Sequence, residues 1–419
     1  MRAAPVLLFV LGTLIAAIWA LGLPPGAGTT GFAWRAVVLG ALAGAAAAIA
    51  WRRTDRSTLW LILAFGLVFR LAAWTWPPDL SSDLYRYVWD GRVQVADENP
   101  YRAAPSAPSL THLRDTAVWP RINRPDAVTV YPPGAQLAFL ALARLGGDSV
   151  AGVKTAALAV DLVVLGLLVF VLRRRGLPCG RLILYAWSPL VVAETCVSGH
   201  VDVLVLVPVL VALIQAERDR PATAGAFIGL AALVKLYPLL LLAALPHRRA
   251  RATAAALVVV AAGYLFYADA GRGVLGFLPE YVRSGEDFNS GLRTFLEWVL
   301  NSLTPHAHTV AAGLCLATLA LVAGKVAIRR AKDPFPAAAA LITAFLVTMP
   351  TPVHPWYALW LAPLLLFAPL PAGLWLVAVL PLSYLKYGTL GDVMPPWVLV
   401  VEWLPAFALV AWSSRRRAI

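Results

Sequence analysis

The chain has 419 residues, of which 60% are hydrophobic and 14% charged, and it carries a formal net charge of +13. A soluble globular domain is roughly half apolar and about a quarter charged, so this composition excludes an ordinary soluble domain. The three cysteines, Cys179, Cys196 and Cys315, are scattered and suggest neither a disulfide framework nor a zinc site. The positive charge falls in short clusters without a continuous basic face, which argues against nucleic-acid binding.

Apolar runs of transmembrane length recur from one end of the chain to the other. A span needs roughly 20 apolar residues, and lipid admits only structures that satisfy their own backbone hydrogen bonds. The alternating ten-residue strands of a membrane barrel are absent. The expected fold is therefore all-α: a polytopic transmembrane helix bundle of about 12–14 spans, forming one integral membrane domain over residues 1–419.

In chain order the expected spans are 4–23, 31–50, 58–76, 148–172, 181–197, 201–215, 221–234, 236–246, 253–269, 307–326, 335–350, 357–370, 372–386 and 395–412. The pair within 221–246 also reads as one long helix. The first run, from Met1-Arg2 to Leu23, is longer than a signal-peptide core and lacks a clean small-residue cleavage site, so it reads as a helix. Segment 131–145 is apolar but opens on Tyr131-Pro132-Pro133-Gly134, which suits an interfacial helix entered from a loop.

The basic clusters test this layout. Arg2, the Arg52/Arg53/Arg56 group, Arg173–Arg175 with Arg181, Arg218/Arg220, Arg248/Arg249/Arg251, Lys325/Arg329/Arg330/Lys332 and Arg415–Arg417 all fall on one face. Lys and Arg accumulate in cytoplasmic loops, so both termini are expected inside the cell. Loops 77–147 and 270–306 then face the exterior, and function is expected where they converge with shorter exterior turns. No internal repeat supports an inverted-repeat transporter plan.

The first exterior loop opens Asp79-Leu80-Ser81-Ser82-Asp83-Leu84-Tyr85-Arg86-Tyr87-Val88-Trp89-Asp90-Gly91-Arg92. Ser82 can cap a helix that starts at Asp83. On that helix Asp83, Arg86, Tyr87 and Asp90 share a face. An Asp held near the membrane surface by aromatic neighbours suits a general base; a capping and salt-bridge network is the alternative. Gly199-His200-Val201-Asp202 forms a polar turn between two spans, as either a site or a closing Asp–His pair. Lys235 lies between apolar runs beside Tyr237, where a cation needs a carboxylate, a phosphate or an escape to the headgroups. His354 suits proton exchange with a phosphate oxygen. Trp356 and Tyr357 suit stacking on a sugar or membership of the interfacial aromatic belt. Arg293 is a candidate phosphate clamp. No phosphate-binding loop, dinucleotide fingerprint or zinc motif appears.

Five segments carry a family resemblance: Ser82-Asp83-Leu84-Tyr85-Arg86, Asn99-Pro100-Tyr101, Tyr131-Pro132-Pro133-Gly134, Leu233-Val234-Lys235-Leu236-Tyr237-Pro238 and His354-Pro355-Trp356-Tyr357. In this order and spacing the chain resembles the GT-C glycosyltransferases from about residue 58 to 370, and most of all the family-87 type, which includes polyprenyl-phosphate-mannose-dependent mannosyltransferases. The two helices before residue 58 are additions to that family's usual start.

The resemblance implies an inverting transfer of a sugar, mannose above all, from a polyprenyl-phosphate donor to a lipid or glycan acceptor. It implies Asp83 as the catalytic base, with Asp79 as the competing choice. Substrate binding would fall to Tyr85, Arg86, Asp90, Arg92, His200, Asp202, Lys235, Tyr237, Arg293, His354, Trp356 and Tyr357. No metal or other cofactor is expected, nor any nucleic-acid partner. The expected setting is the bacterial cytoplasmic (inner) membrane, surrounded by membrane lipids, with the active site outside. The rival reading is a transporter or flippase for a lipid-linked sugar. That rival needs polar residues through the whole membrane, whereas few, such as Asp161, lie at depth. A noncatalytic membrane subunit is a third reading, which leaves the exterior charge cluster unexplained.

Overall fold

The computed structural model describes residues 3–24, 26–246, 249–283, 289–329, 332–349 and 351–416. Arg2, Arg248, Arg330 and Arg417 of the basic clusters, Pro350 of the expected span 335–350 and residues 284–288 of the second exterior loop lie outside the described residues. Among those described, all regular structure is helical.

Six helices are long and apolar enough to cross a membrane: Ala3–Ala20, Gly28–Ala50, Arg56–Trp74, Val150–Arg174, Ala307–Arg329 and Pro396–Arg415. Arg249–Leu265 and Ala268–Tyr281 form a pair bent by 116°, which makes a seventh if it counts as one span. Val203–Glu217, Pro221–Ala232 and Pro334–Thr348 are shorter apolar helices. The chain is thus a multi-pass, all-α membrane protein. Only 11% of the apolar window in Ala307–Arg329 is buried in protein. Such a face needs lipid, because water would not tolerate so large an apolar surface.

Several expected spans are broken rather than continuous. Segment 181–197 consists of the single turns Ile183–Ala186 and Pro189–Val192 and a π-helical turn, Ala193–Val197. Segment 236–246 is 3-10 helix over Tyr237–Ala244. Segment 357–370 holds the short 3-10 helices Pro355–Trp360 and Leu364–Leu366. Segment 372–386 divides into Pro371–Val379 and the 3-10 helix Leu380–Gly388. The physical cause is proline: Pro189, Pro238, Pro363, Pro371 and Pro381 each remove a backbone donor from an apolar run. Irregular backbone is tolerated at membrane depth only when enclosed by protein, and residues 185–203 are buried throughout.

The chain forms two compact units, one from Met1–Trp76, Val164–Glu194 and Glu286–Ile419, the other from Pro77–Val163 and Thr195–Gly285. In the first, Ala3–Ala20 packs on Gly28–Ala50 and Arg56–Trp74. Asp55 starts the third helix by accepting from the Thr58 amide at 2.9 Å. The fully buried Arg70 donates to the carbonyls of Gly66 at 3.0 Å and Ala186 at 2.7 Å, which satisfies backbone at the broken segment. Tyr384 donates to buried Glu194 at 2.9 Å.

In the second unit, Val203–Glu217, Pro221–Ala232 and Arg249–Leu265 stack in sequence. Gly225 and Gly229 lie directly against the backbone of Ala252 and Ala256, the small-residue contact that lets membrane helices approach closely. Pro133–Arg144 spans 12 residues, about 18 Å at 1.5 Å per residue, too short to cross a core of about 30 Å. The 221–246 pair is two elements, because helix Pro221–Ala232 stops and 3-10 helix begins only at Tyr237.

Candidate active site

The site of interest lies wholly in the second unit. Its floor is the helix Asp83–Val95, which starts where the sequence predicts. The expected cap is different: Ser82 makes no side-chain cap bond, and Ser81 Oγ accepts from the Asp83 amide at 3.2 Å. Asp83 sits in the first turn, where the helix dipole favours a negative charge.

Three further segments converge on Asp83. Asn123, from the long loop after the helix, donates through Nδ2 to Asp83 Oδ1 at 2.6 Å. The other carboxylate oxygen, Oδ2, lies 3.9 Å from His200 Nδ1. Tyr87, one turn along the helix, places its hydroxyl 3.5 Å from the same nitrogen. His200 is aimed inward by a turn in which Gly199 takes φ +62°, a conformation that disfavours any side chain. The next charged pair is Asp202 with Lys235, at 3.5 Å between Oδ2 and Nζ. Lys235 Nζ also lies 5.7 Å from the Tyr131 ring centroid.

The motifs around Tyr131 and Lys235 are joined through the backbone. Helix Pro221–Ala232 ends before Lys235, which frees the Leu233 carbonyl. That carbonyl accepts from the amides of Gly134 at 2.7 Å and Ala135 at 3.1 Å, at the start of helix Pro133–Arg144. A Cβ on Gly134 would lie 2.7 Å from Leu233 Cβ and 2.9 Å from its carbonyl oxygen. The glycine that closes Tyr131-Pro132-Pro133-Gly134 is therefore required by the approach of Leu233.

Burial orders the charges. The side chains of Asp83 and Lys235 keep 18% and 20% of their exposure, whereas His200 and Asp202 keep none. Each reachable charge is thus backed by a buried partner of opposite or complementary character. Burial raises the Asp83 carboxyl above its usual range, and the Asp202 charge adds to that. The Lys235 charge and hydrogen bonding by Asn123 and Tyr131 pull it back, but the net direction is upward. The Tyr87 and Tyr131 hydroxyls are held well above their ordinary value by burial, so both stay protonated donors at neutral pH.

Arg86 and Asp90 stand one layer deeper. Arg86 Nε donates to Asp90 Oδ1 at 2.7 Å, and Gln136 Nε2 donates to Asp90 Oδ2 at 2.7 Å and to Thr129 Oγ1 at 2.7 Å. Gln94 donates to Gln136 Oε1 at 2.9 Å and accepts from Tyr267 at 2.6 Å. All of these side chains are buried, so this network fixes the helix carrying Asp83 against its neighbours. Arg92 points elsewhere, to Asp148 at 2.7 Å and Asp115 at 2.5 Å. Tyr85 is covered by the Arg121 guanidinium at 5.5 Å, Tyr237 is buried, and Asp79 is exposed within the electrostatic reach of Lys154.

The remaining predicted residues belong to the first unit. His354 stacks on Trp356 with ring centroids 4.3 Å apart and meets Tyr357 edge-on at 5.5 Å. Arg293 is buried, with Ser290 Oγ at 2.7 Å and Glu297 Oε1 at 3.2 Å.

A family model described as glycosyltransferase family 87 matches residues 129–352, more than half of the chain. The chain belongs to glycosyltransferase family 87. No curated protein and no solved structure matches it. Within this family-87 enzyme the matched stretch holds Tyr131, Gly134, His200, Asp202, Lys235 and Arg293, whereas Asp83 and Asn123 precede it and His354 follows it. Sequence reasoning missed Asn123, Gln94, Gln136 and Thr129. Gln94 carries a usable signal, its i, i+4 spacing from Asp90 on one helix. Asn123 has none, because it sits in irregular loop.

Proposed function

We propose that this family-87 glycosyltransferase moves a mannosyl group from a polyprenyl-phosphate donor to a hydroxyl of a lipid or glycan acceptor, with inversion, and that Asp83 is the general base. The observation that carries this reading is the pairing of a half-shielded carboxylate, Asp83, with a similarly reachable cation, Lys235, beside buried His200 and Asp202. Asp83 is favoured over Asp79 because three other segments converge on it, whereas Asp79 is exposed.

The chemistry balances with these groups. Asp83 takes the proton from the acceptor hydroxyl, and the freed oxygen pair forms the new bond at the anomeric carbon. The anomeric carbon–oxygen bond to phosphate breaks on the opposite face, and its electron pair leaves on the phosphate. Phosphate is already a good leaving group, so the paired acid and base of a glycoside hydrolase are not required. What helps is positive charge on the departing phosphate, the role proposed for Lys235. The reading asks for no metal or other cofactor. His354, Trp356, Tyr357 and Arg293 are proposed substrate contacts, each to be judged by its own substitution.

The membrane setting is also part of the proposal. The basic clusters favour a cytoplasmic membrane with both termini inside, which puts Asp83 outside. The test is a donor screen with purified protein in lipid nanodiscs. Transfer of label from polyprenyl-phosphate mannose, and none from nucleotide sugars, is the expected result. Use of a nucleotide sugar, or movement of a lipid-linked sugar across vesicles without bond formation, would overturn it.

A further inference from the structure

We propose that Asn123 is a positioning residue for the transfer, holding Oδ1 of Asp83 and so fixing the orientation in which the carboxylate is presented as the base. The inference rests on the reading of Asp83 as the base, and its residue lies outside the stretch that the family model matches.

A carboxylate on a flexible two-torsion side chain has two equivalent oxygens, and a base is efficient only when one lone pair faces the hydroxyl it deprotonates. Here the two oxygens are made different. Asn123 Nδ2 donates to Oδ1 at 2.6 Å, a short distance of the kind seen when the acceptor is charged. Oδ2 is left 3.9 Å from His200 Nδ1, too far for a hydrogen bond. Asn123 therefore fixes the Oδ1 side of a carboxylate that also accepts from the Tyr131 hydroxyl. Asn123 is half-buried and lies on a different segment from Tyr87, His200, Asp202 and Lys235, so its effect is separable from theirs by mutation.

An amide suits this role better than a cation would. It donates without adding charge, so it fixes the carboxylate while leaving it basic enough to take a proton. The charged and titratable groups facing Asp83 are Tyr87 from its own helix, Tyr131 from the loop before helix Pro133–Arg144, His200 and Asp202 from the turn before Val203–Glu217, and Lys235 from the helix break. Asn123 is the amide donor beside them.

The experiment compares Asn123→Ala, Asn123→Asp and Asp83→Asn in nanodiscs, by single-turnover transfer across a pH series with thermal unfolding of each protein alongside. Loss of the donated bond destabilises the charged form of Asp83. The acid limb of the rate in Asn123→Ala should therefore move up by about one pH unit or more, with the plateau about tenfold lower and donor KM little changed. Asn123→Asp sets two carboxyls in contact and should move the limb up further while keeping the side-chain volume, which covers the case where the alanine variant folds poorly. If both variants fold and the limb stays where the parent has it, Asn123 has no positioning role, even with Asp83→Asn inactive. If Asp83→Asn itself transfers normally, the underlying assignment of the base fails instead.

Discussion

Replacing Gly134 by alanine tests whether the two halves of the site are held together as described. The new Cβ would lie 2.7 Å from Leu233 Cβ and 2.9 Å from the Leu233 carbonyl oxygen. Ordinary Cβ contacts lie about 3.4–4 Å away, so the two backbones must part by roughly 0.5–1 Å. Neither neighbour is the end of a flexible side chain, and the same carbonyl holds both amides at the start of helix Pro133–Arg144. Overpacking of this kind costs about 1–3 kcal/mol. The shift also moves Lys235, two residues from Leu233, relative to Tyr131, three residues from Gly134. A misplacement near 1 Å is worth about a hundredfold in rate. The expected outcome is a lower Tm in detergent together with a fall in transfer of one to two orders of magnitude. Gly134→Ala with parental Tm and parental rate would refute the claim that these two motifs dock through Leu233.

Other outcomes follow from the same geometry. Because burial raises the Asp83 carboxyl, the group is still protonated at a pH where an ordinary aspartate is charged. Transfer should therefore be lost as pH falls, with its midpoint above the usual carboxylate value of about 4, read from a pH–rate profile in wild type. Lys235→Met removes the charge beside buried Asp202 and should cost about 3–5 kcal/mol. Adding Asp202→Asn should restore much of that stability but not the transfer activity, which separates the structural role of Lys235 from its role on phosphate. Arg92→Ala breaks contacts to Asp115 and Asp148, both about a third or more exposed, so unfolding should change by about 1 kcal/mol or less.

The parts of the fold legible in the sequence are those where composition and local rule agree. The start of the helix at Asp83, the short helix after Tyr131-Pro132-Pro133-Gly134 and the long outer helices all follow from apolar runs and proline placement. The broken segments 181–197, 236–246, 357–370 and 372–386 were not, because a hydropathy run records apolarity and not backbone continuity. Enclosure by protein, which lets such backbone exist, is a tertiary property. The same division holds at the site. Asp83, His200 and Lys235 stand out because charge in an apolar chain is costly. Arg86 and Asp90 share a helix face as expected, but their pairing to each other and to Gln136 could not be read from spacing alone. Asn123 needed the fold, since nothing in its loop marks which side chain turns back to the helix.

The most direct test of the account is transfer by Asp83→Asn, an isosteric change that removes the base and keeps the side-chain shape. With polyprenyl-phosphate mannose and an acceptor hydroxyl, the substituted protein should show parental unfolding and unchanged donor binding, with product formation reduced by at least about a thousandfold. Product formed at the parental rate by that folded protein would contradict the assignment of Asp83 as the base.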